Sequence, residues 1–185
     1  MVSTATPAGA LGMVAPAFDL PGVDDRRHTL ASARGPSGLV VMFICNHCPY
    51  VKAVIDKIVR DTSELAALGV GSIAISSNDP ADYPEDSFDH MARFAERHRM
   101  TIPYVFDETQ DVARAYGAVC TPDFFGFDRE LRLAYRGRLD SSGRSADAAT
   151  PRELLPAMAA IAQGNAAPAV QHPSIGCSIK WRRQA

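Results

Sequence analysis

The sequence predicts an α/β domain with one central mixed β-sheet and helices on both of its faces. Three observations predict it. From Leu39 to Gly117, buried strand-like runs alternate with helix-periodic segments, the pattern of βαβ units with parallel strands. Two short apolar runs follow, Phe124 to Phe127 and Leu133 to Arg136, with Gly126 and Asp128 to Glu130 close by, which reads as an antiparallel hairpin. A final helix-forming segment after Thr150 closes the pattern.

Taken in order, residues 1–14 are small and polar and read as a flexible N-terminal arm. Ala15-Pro16-Ala17-Phe18-Asp19-Leu20-Pro21-Gly22 gives short strand-like pieces around a turn, a β extension ahead of the main sheet. Leu39 to Ile44 is a buried strand. Val51, Val54, Ile55, Ile58 and Val59 then recur at i, i+3, i+4, i+7 and i+8, which predicts a helix over 46–68 ending near Gly69. Gly71 to Ser76 is a second buried strand, and a helix over roughly 85–99 carries Phe88, Met91, Ala92 and Ala95 on one face.

A short strand at 104–106 precedes Asp107-Glu108-Thr109-Gln110, a capping-box-like opening for a helix that stops at Gly117. After the hairpin, Thr150-Pro151-Arg152-Glu153 offers an N-cap, a proline at the first helical position and an acidic residue at the third, for a helix toward Gly164. Pro156 is a misfit inside that helix, because it lacks a backbone N–H. Residues 15–164 therefore make one domain, and 165–185, without periodicity, are a tail packed on it.

Composition agrees with one core: 185 residues at 46% hydrophobic content are too few for two full domains. A net charge of −2 gives no electrostatic footprint for nucleic acid, and Lys180-Trp181-Arg182-Arg183 reads as a solvated tail. No stretch approaches the roughly 20 apolar residues that span a bilayer, and residues 1–14 lack the features of a secretory signal. A cytoplasmic protein with no membrane partner is expected. In a reducing compartment its four cysteines point to metal binding or redox chemistry rather than a disulfide framework.

Cys45-Asn46-His47-Cys48-Pro49-Tyr50 stands where the first buried strand gives way to the helix. A thiol at a helix N-terminus meets unpaired N–H groups and the positive end of the dipole, which favour the reactive thiolate. Cys45 is accordingly the expected nucleophile and the more exposed thiol, with Cys48 resolving the mixed disulfide. His47, if protonated, places a positive charge beside the thiolate and lowers the cysteine pKa. A zinc site would need further ligands from distant Cys120, Cys177 or a histidine, since no second CxxC is present. No metal is assigned.

The strand, CxxC and helix, together with Val119-Cys120-Thr121-Pro122 before the hairpin, resemble the thioredoxin superfamily. Ala15 to Leu20 is similar to its redoxin branch, which includes the alkyl hydroperoxide reductase/thiol-specific antioxidant (AhpC/TSA) proteins. The fuller motifs Cys45 to Lys52 and Ser174 to Trp181 resemble a peroxiredoxin-like subgroup with a CxxC. The resemblance spans about residues 12–181. It implies a thioredoxin fold, a cis Pro122 facing the CxxC, and a Thr121 backbone that pairs with substrate. It implies thiol–disulfide exchange without a cofactor, with protein or small-molecule disulfides as substrates and a cytosolic thiol as reductant.

Two alternatives stay open. The peroxiredoxin pattern Pro-x-x-x-Thr-x-x-Cys, laid on by spacing, puts the peroxidatic cysteine on Cys48, but the Thr on Cys45, the Pro on Val41 and the distant Arg near Pro122. An antioxidant thiol peroxidase thus lacks most of its equipment, whereas His47 between the cysteines resembles DsbA-like proteins. Zinc, copper or iron–sulfur binding by Cys45, Cys48, Cys120 or Cys177, with His47, is the other. The buried acid of thioredoxin falls at Leu39 and the TlpA-like glutamate near Val51, so the proton acceptor is missing, with Asp123 a weak substitute. Ile44 stands where tryptophan is common. Cys177 is expected to approach Cys120 as a second thiol pair.

Overall fold

The structure, a computed structural model, describes residues 3–145, 147 and 149–183. Its elements in chain order are β1 (Ser3–Ala5), β2 (Asp19–Pro21), β3 (Arg27–Thr29), α1 (Leu30–Ala33), β4 (Gly38–Phe43), α2 (Pro49–Ala67), β5 (Val70–Ser76), α3 (Phe88–Arg97), β6 (Tyr104–Phe106), α4 (Asp111–Tyr116), β7 (Cys120–Thr121), β8 (Asp123–Phe127), β9 (Leu133–Gly137), α5 (Leu154–Ala162) and β10 (Ile175–Ser178).

β4 is buried at every position, so it takes the middle of the main sheet. β5 and then β6 run parallel to it on one side, and β8 and then β9 run antiparallel on the other. Alternate β4 residues feed two cores. Val40 and Met42 pack with Ile55 and Ile58 of α2, Met91 of α3 and Met158 of α5. Leu39, Val41 and Phe43 face Ala33 of α1 and Ala113 and Tyr116 of α4. This is the mixed sheet with helices on both faces that the sequence predicts.

Two helices begin later than their sequence signals suggest, for local reasons. α2 starts at Pro49 rather than residue 46, because the backbone N–H groups of Asn46 and His47 both donate to the Asp86 carboxylate, at 2.8 and 3.1 Å. Pro49, which has no N–H to satisfy, then fits the first helical position. α5 starts at Leu154, since Glu153 and Leu154 donate to the Leu139 carbonyl and hold the preceding segment outside the helix. Pro156 therefore falls in the first turn, where its missing N–H is not needed, and it is no misfit there.

Residues 3–14 are not a loose arm. β1 pairs antiparallel with β10, and β10 pairs in turn with β7, so both ends of the chain form one small sheet. Further on, Gly12 and Ala15 donate to the carbonyls of Leu133 and Leu131, extending the β9 edge. Met1, Val2, Gln184 and Ala185 of the expected arm and tail lie outside the described residues. Among the described residues, no helix is long and apolar enough to cross a membrane.

Candidate active site

Five parts of the chain deliver the site. The end of β4 presents Cys45, and the start of α2 presents Cys48 as its N-cap residue. The segment after β5 contributes Asn78 and, from a 3₁₀ turn at Pro84–Asp86, the Asp86 carboxylate. β7 brings Thr121, joined to Pro122 by a cis peptide bond, and β10 brings Cys177.

Thr121 touches both redox sulfurs. Its Oγ1 lies 3.3 Å from Cys45 Sγ, and its carbonyl oxygen lies 3.1 Å from Cys48 Sγ. All four cysteines are buried thiols, with Cys45 and Cys48 each at 0% exposure. The expectation of an exposed Cys45 is corrected on that point.

The electrostatic assignment is reversed too. Cys48, not Cys45, stands at the helix N-terminus. Its pKa is lowered to about 5, first by the Cys45 thiol directed at it and then by the Cys177 thiol and the N–H groups of Val51 and Cys177, which together outweigh burial. The Thr121 carbonyl opposes this, since it accepts from a thiol and repels a thiolate. The donors outweigh this one acceptor, so Cys48 is the more acidic of the two thiols. Cys45 moves well above the ordinary thiol range, through its interaction with Cys48, burial and the negative charge of Asp86; only Thr121 Oγ1 pulls it down.

His47 does not serve Cys45 as the spacing suggests. Its Nδ1–H donates to Asp86 Oδ2, leaving that nitrogen 4.0 Å from Cys45 Sγ. The ring stacks on Tyr83 with centroids 5.0 Å apart, and Lys180 Nζ lies over the other ring of the stack, 5.4 Å from the Tyr83 centroid. Asp86 also accepts from Asn78 Nδ2 at 2.7 Å, while Asn78 Oδ1 accepts the Lys180 N–H at 2.9 Å. Burial pushes the Asp86 pKa up, but the donors from His47, Asn78 and Asn46 prevail and hold it below its ordinary value.

Cys120 and Cys177 do not form the expected pair. In the β7–β10 register Cys177 stands opposite Thr121 and Cys120 opposite Ser178. Opposed residues share a face and successive ones alternate, so the two thiols leave the ribbon on opposite sides. Cys177 instead meets Cys48, and burial followed by that contact raises its pKa to about 12. Asp123 is not placed as a partner for Cys48: its carboxylate binds Arg136 at 2.9 Å, and the thiol that feels its charge is Cys120.

Cys45, His47 and Asp86 present three ligand atoms within 4.8 Å of one another. They fit a metal poorly, because both Asp86 oxygens are engaged by four N–H donors, two of them, the backbone and ring N–H groups, from His47 itself.

Asp86, Asn78 and Tyr83 are absent from the residues singled out in the sequence, and Lys180, read there as part of a solvated tail, lies over the Tyr83 ring instead. A signal for Asn78 existed: in open α/β sheets, function gathers beyond the carboxyl ends of parallel strands, and Ser77-Asn78-Asp79 follows β5 there. Asp86 carries no comparable mark.

A buried dithiol at the end of a central parallel strand, held against a cis Thr–Pro peptide, defines a thiol protein of the thioredoxin fold. Residues 11–136 match the AhpC/TSA family, and the chain belongs to it. The structure is similar to an uncharacterized conserved protein from Geobacillus kaustophilus, with a TM-score of 0.94 and 43% identity over 100% of this chain and 99% of that one. It is similar also to a hypothetical protein from Sinorhizobium meliloti 1021, with a TM-score of 0.91 and 35% identity over 98% and 100% of the two chains. Peroxidoxin BcpB from Mycobacterium tuberculosis shares the fold at a TM-score of 0.63 and 18% identity, over 85% and 98%. In sequence the chain is 29% identical over 133 residues to the thiol-disulfide oxidoreductase ResA of Geobacillus thermodenitrificans, covering 68% of each.

Proposed function

We propose that the chain is a thiol–disulfide oxidoreductase whose redox centre is the Cys45–Cys48 dithiol. The contact of both sulfurs with Thr121, at 3.3 and 3.1 Å, carries this reading, because it places the pair beside the backbone where an extended substrate would lie.

In the reduced protein Cys48 holds the negative charge and Cys45 the proton directed at it. Passing that proton to Cys48 leaves a Cys45 thiolate, stabilised by Thr121 Oγ1. The Cys45 thiolate attacks a substrate disulfide, forming a mixed disulfide and expelling one substrate thiolate, which takes the proton back from Cys48. The Cys48 thiolate then attacks Cys45 Sγ and releases the second substrate thiolate. The dithiol loses two electrons and the substrate gains them. The expelled substrate thiolate is thus the proton acceptor for Cys48 that Leu39 and Val51 cannot supply.

Substrates on this reading are protein or small-molecule disulfides, and a cytosolic thiol restores the dithiol. A stabilised Cys48 thiolate favours the reduced form, so the potential should lie above the roughly −270 mV of thioredoxin. Equilibration with glutathione measures it. Reduction of a disulfide probe that survives in both Cys45→Ser and Cys48→Ser would overturn the reading.

One observation favours an antioxidant peroxidase as a second reading: the low-pKa thiolate is Cys48, the position that matches the peroxidatic cysteine by spacing. Saturable peroxide turnover retained in Cys45→Ser would promote it.

A further inference from the structure

Cys48 has two thiol neighbours. Its partner within the motif is Cys45; the second, Cys177, arrives from the C-terminal strand. Antiparallel pairing sets Cys177 opposite Thr121, the residue whose carbonyl touches Cys48 Sγ. Gly176 lets the strand come this close, since any Cβ there would collide with the Thr121 backbone carbonyl. Cys177 is 2% exposed and belongs to the same apolar cluster as Cys45 and Cys48. Both its thiol and its N–H bear on the Cys48 sulfur.

We propose that Cys177 is a second exchange partner for Cys48, so that the oxidised protein interconverts between a Cys45–Cys48 and a Cys48–Cys177 disulfide. This rests on the oxidoreductase reading above, which supplies the Cys45–Cys48 disulfide. The Cys177 thiolate attacks Cys48 Sγ, the new S–S bond forms as the Cys45–Cys48 bond breaks, and Cys45 leaves as a thiolate. The proton lost by Cys177 ends on Cys45. No electrons are gained or lost overall, so the substrate disulfide that first oxidised the CxxC is the only oxidant required.

The exchange moves the oxidised bond from Cys45 to the β10 strand that pairs with Thr121, and returns Cys45 to the reduced state. It also ties β10 covalently to the start of α2. A structural role for Cys177 as a small buried hydrophobe would give none of this.

The test uses the full chain, reduced and then treated with one equivalent of oxidised glutathione, with remaining thiols alkylated and the cross-links mapped by mass spectrometry. Wild type should yield both the 45–48 and the 48–177 linked peptides. In Cys45→Ser, three thiols remain of the four; the count should fall to one, glutathione being displaced from Cys48 by Cys177. Cys45→Ser with Cys177→Ala should keep glutathione on Cys48. A Cys45→Ser protein that keeps glutathione on Cys48 with Cys177 alkylated, beside wild type carrying only the 45–48 link, overturns the inference and leaves the oxidoreductase reading intact. Wild type with no 45–48 link overturns both.

Discussion

His47 donates its Nδ1–H to Asp86, a carboxylate with no solvent exposure. The histidine that spacing offers to Cys45 is committed to an acid 39 positions further along the chain. The charge that reaches Cys45 from this pair includes a carboxylate, and it disfavours the thiolate.

Asp86→Asn should therefore lower the Cys45 pKa, because a negative charge beside the sulfur is removed. It should also destabilise the fold by about 3 kcal/mol, since an amide NH₂ replaces an acceptor of buried N–H donors. Thiolate absorbance near 240 nm in a Cys48→Ser background reads the first effect, and urea unfolding the second. The native Asp86 pKa lies below its unfolded value of 3.8, so its stabilisation is present above that pH and is lost as pH falls through the native value.

The reduced protein should titrate one thiolate near pH 5, lost in Cys48→Ser. In Cys45→Ala the midpoint should climb toward the ordinary 9.0, because the Cys45 thiol is the largest influence holding it down. The depressed native value means that the Cys48 contribution to stability is complete above about pH 9 and is lost as pH falls through about 5. Absorbance near 240 nm from pH 3 to 10 checks the titration.

The strands of the main sheet were legible because each is a short and mostly buried run, as in Val70–Ser76, where every residue but Gly71 is buried. The redox pair and the cis Thr121–Pro122 were legible for a different reason, since their residue types and spacing are distinctive. β1 and β10 were not, because Ser3–Ala5 and Ile175–Ser178 are short and mostly polar or small, and acquire strand character only from each other and from β7. Asp86 was hidden as well. A carboxylate in a polar loop looks solvated until the fold turns it onto the Asn46 and His47 amides, and that contact also sets where α2 begins.

Arg136 and Asp123 form an ion pair buried between β8 and β9. Arg136→Met should cost about 3–5 kcal/mol by stranding the carboxylate. Burial raises the Asp123 pKa to about 6 even with Arg136 opposing it. A native value above the unfolded 3.8 means stability from this group is fullest below pH 3.8 and is lost as pH rises through about 6. Without Arg136 the loss should extend to higher pH, which urea unfolding at pH 5 and pH 8 compares.

Gly176→Ala should push β10 off β7, because the obstacle to a Cβ is the Thr121 backbone rather than a movable side chain. A loss of about 1–3 kcal/mol is expected for such overpacking. Amide hydrogen exchange should quicken over residues 175–178 and their β1 partners while β4 and β5 stay protected. Unchanged exchange at β10 would show that the strand absorbs the methyl group.

The small sheet of β1, β10 and β7 gives the chain an order of completion. Residues 3–5 have no strand to join until residues 175–178 are made, and Thr121 gains its β10 neighbour at the same moment. A nascent chain can carry both cysteines of the CxxC long before Cys177 and Lys180 exist to stand beside Cys48 and Tyr83. The reactive pair is thus built before it is enclosed, and its chemical surroundings are complete only once residues 177–180 have been added.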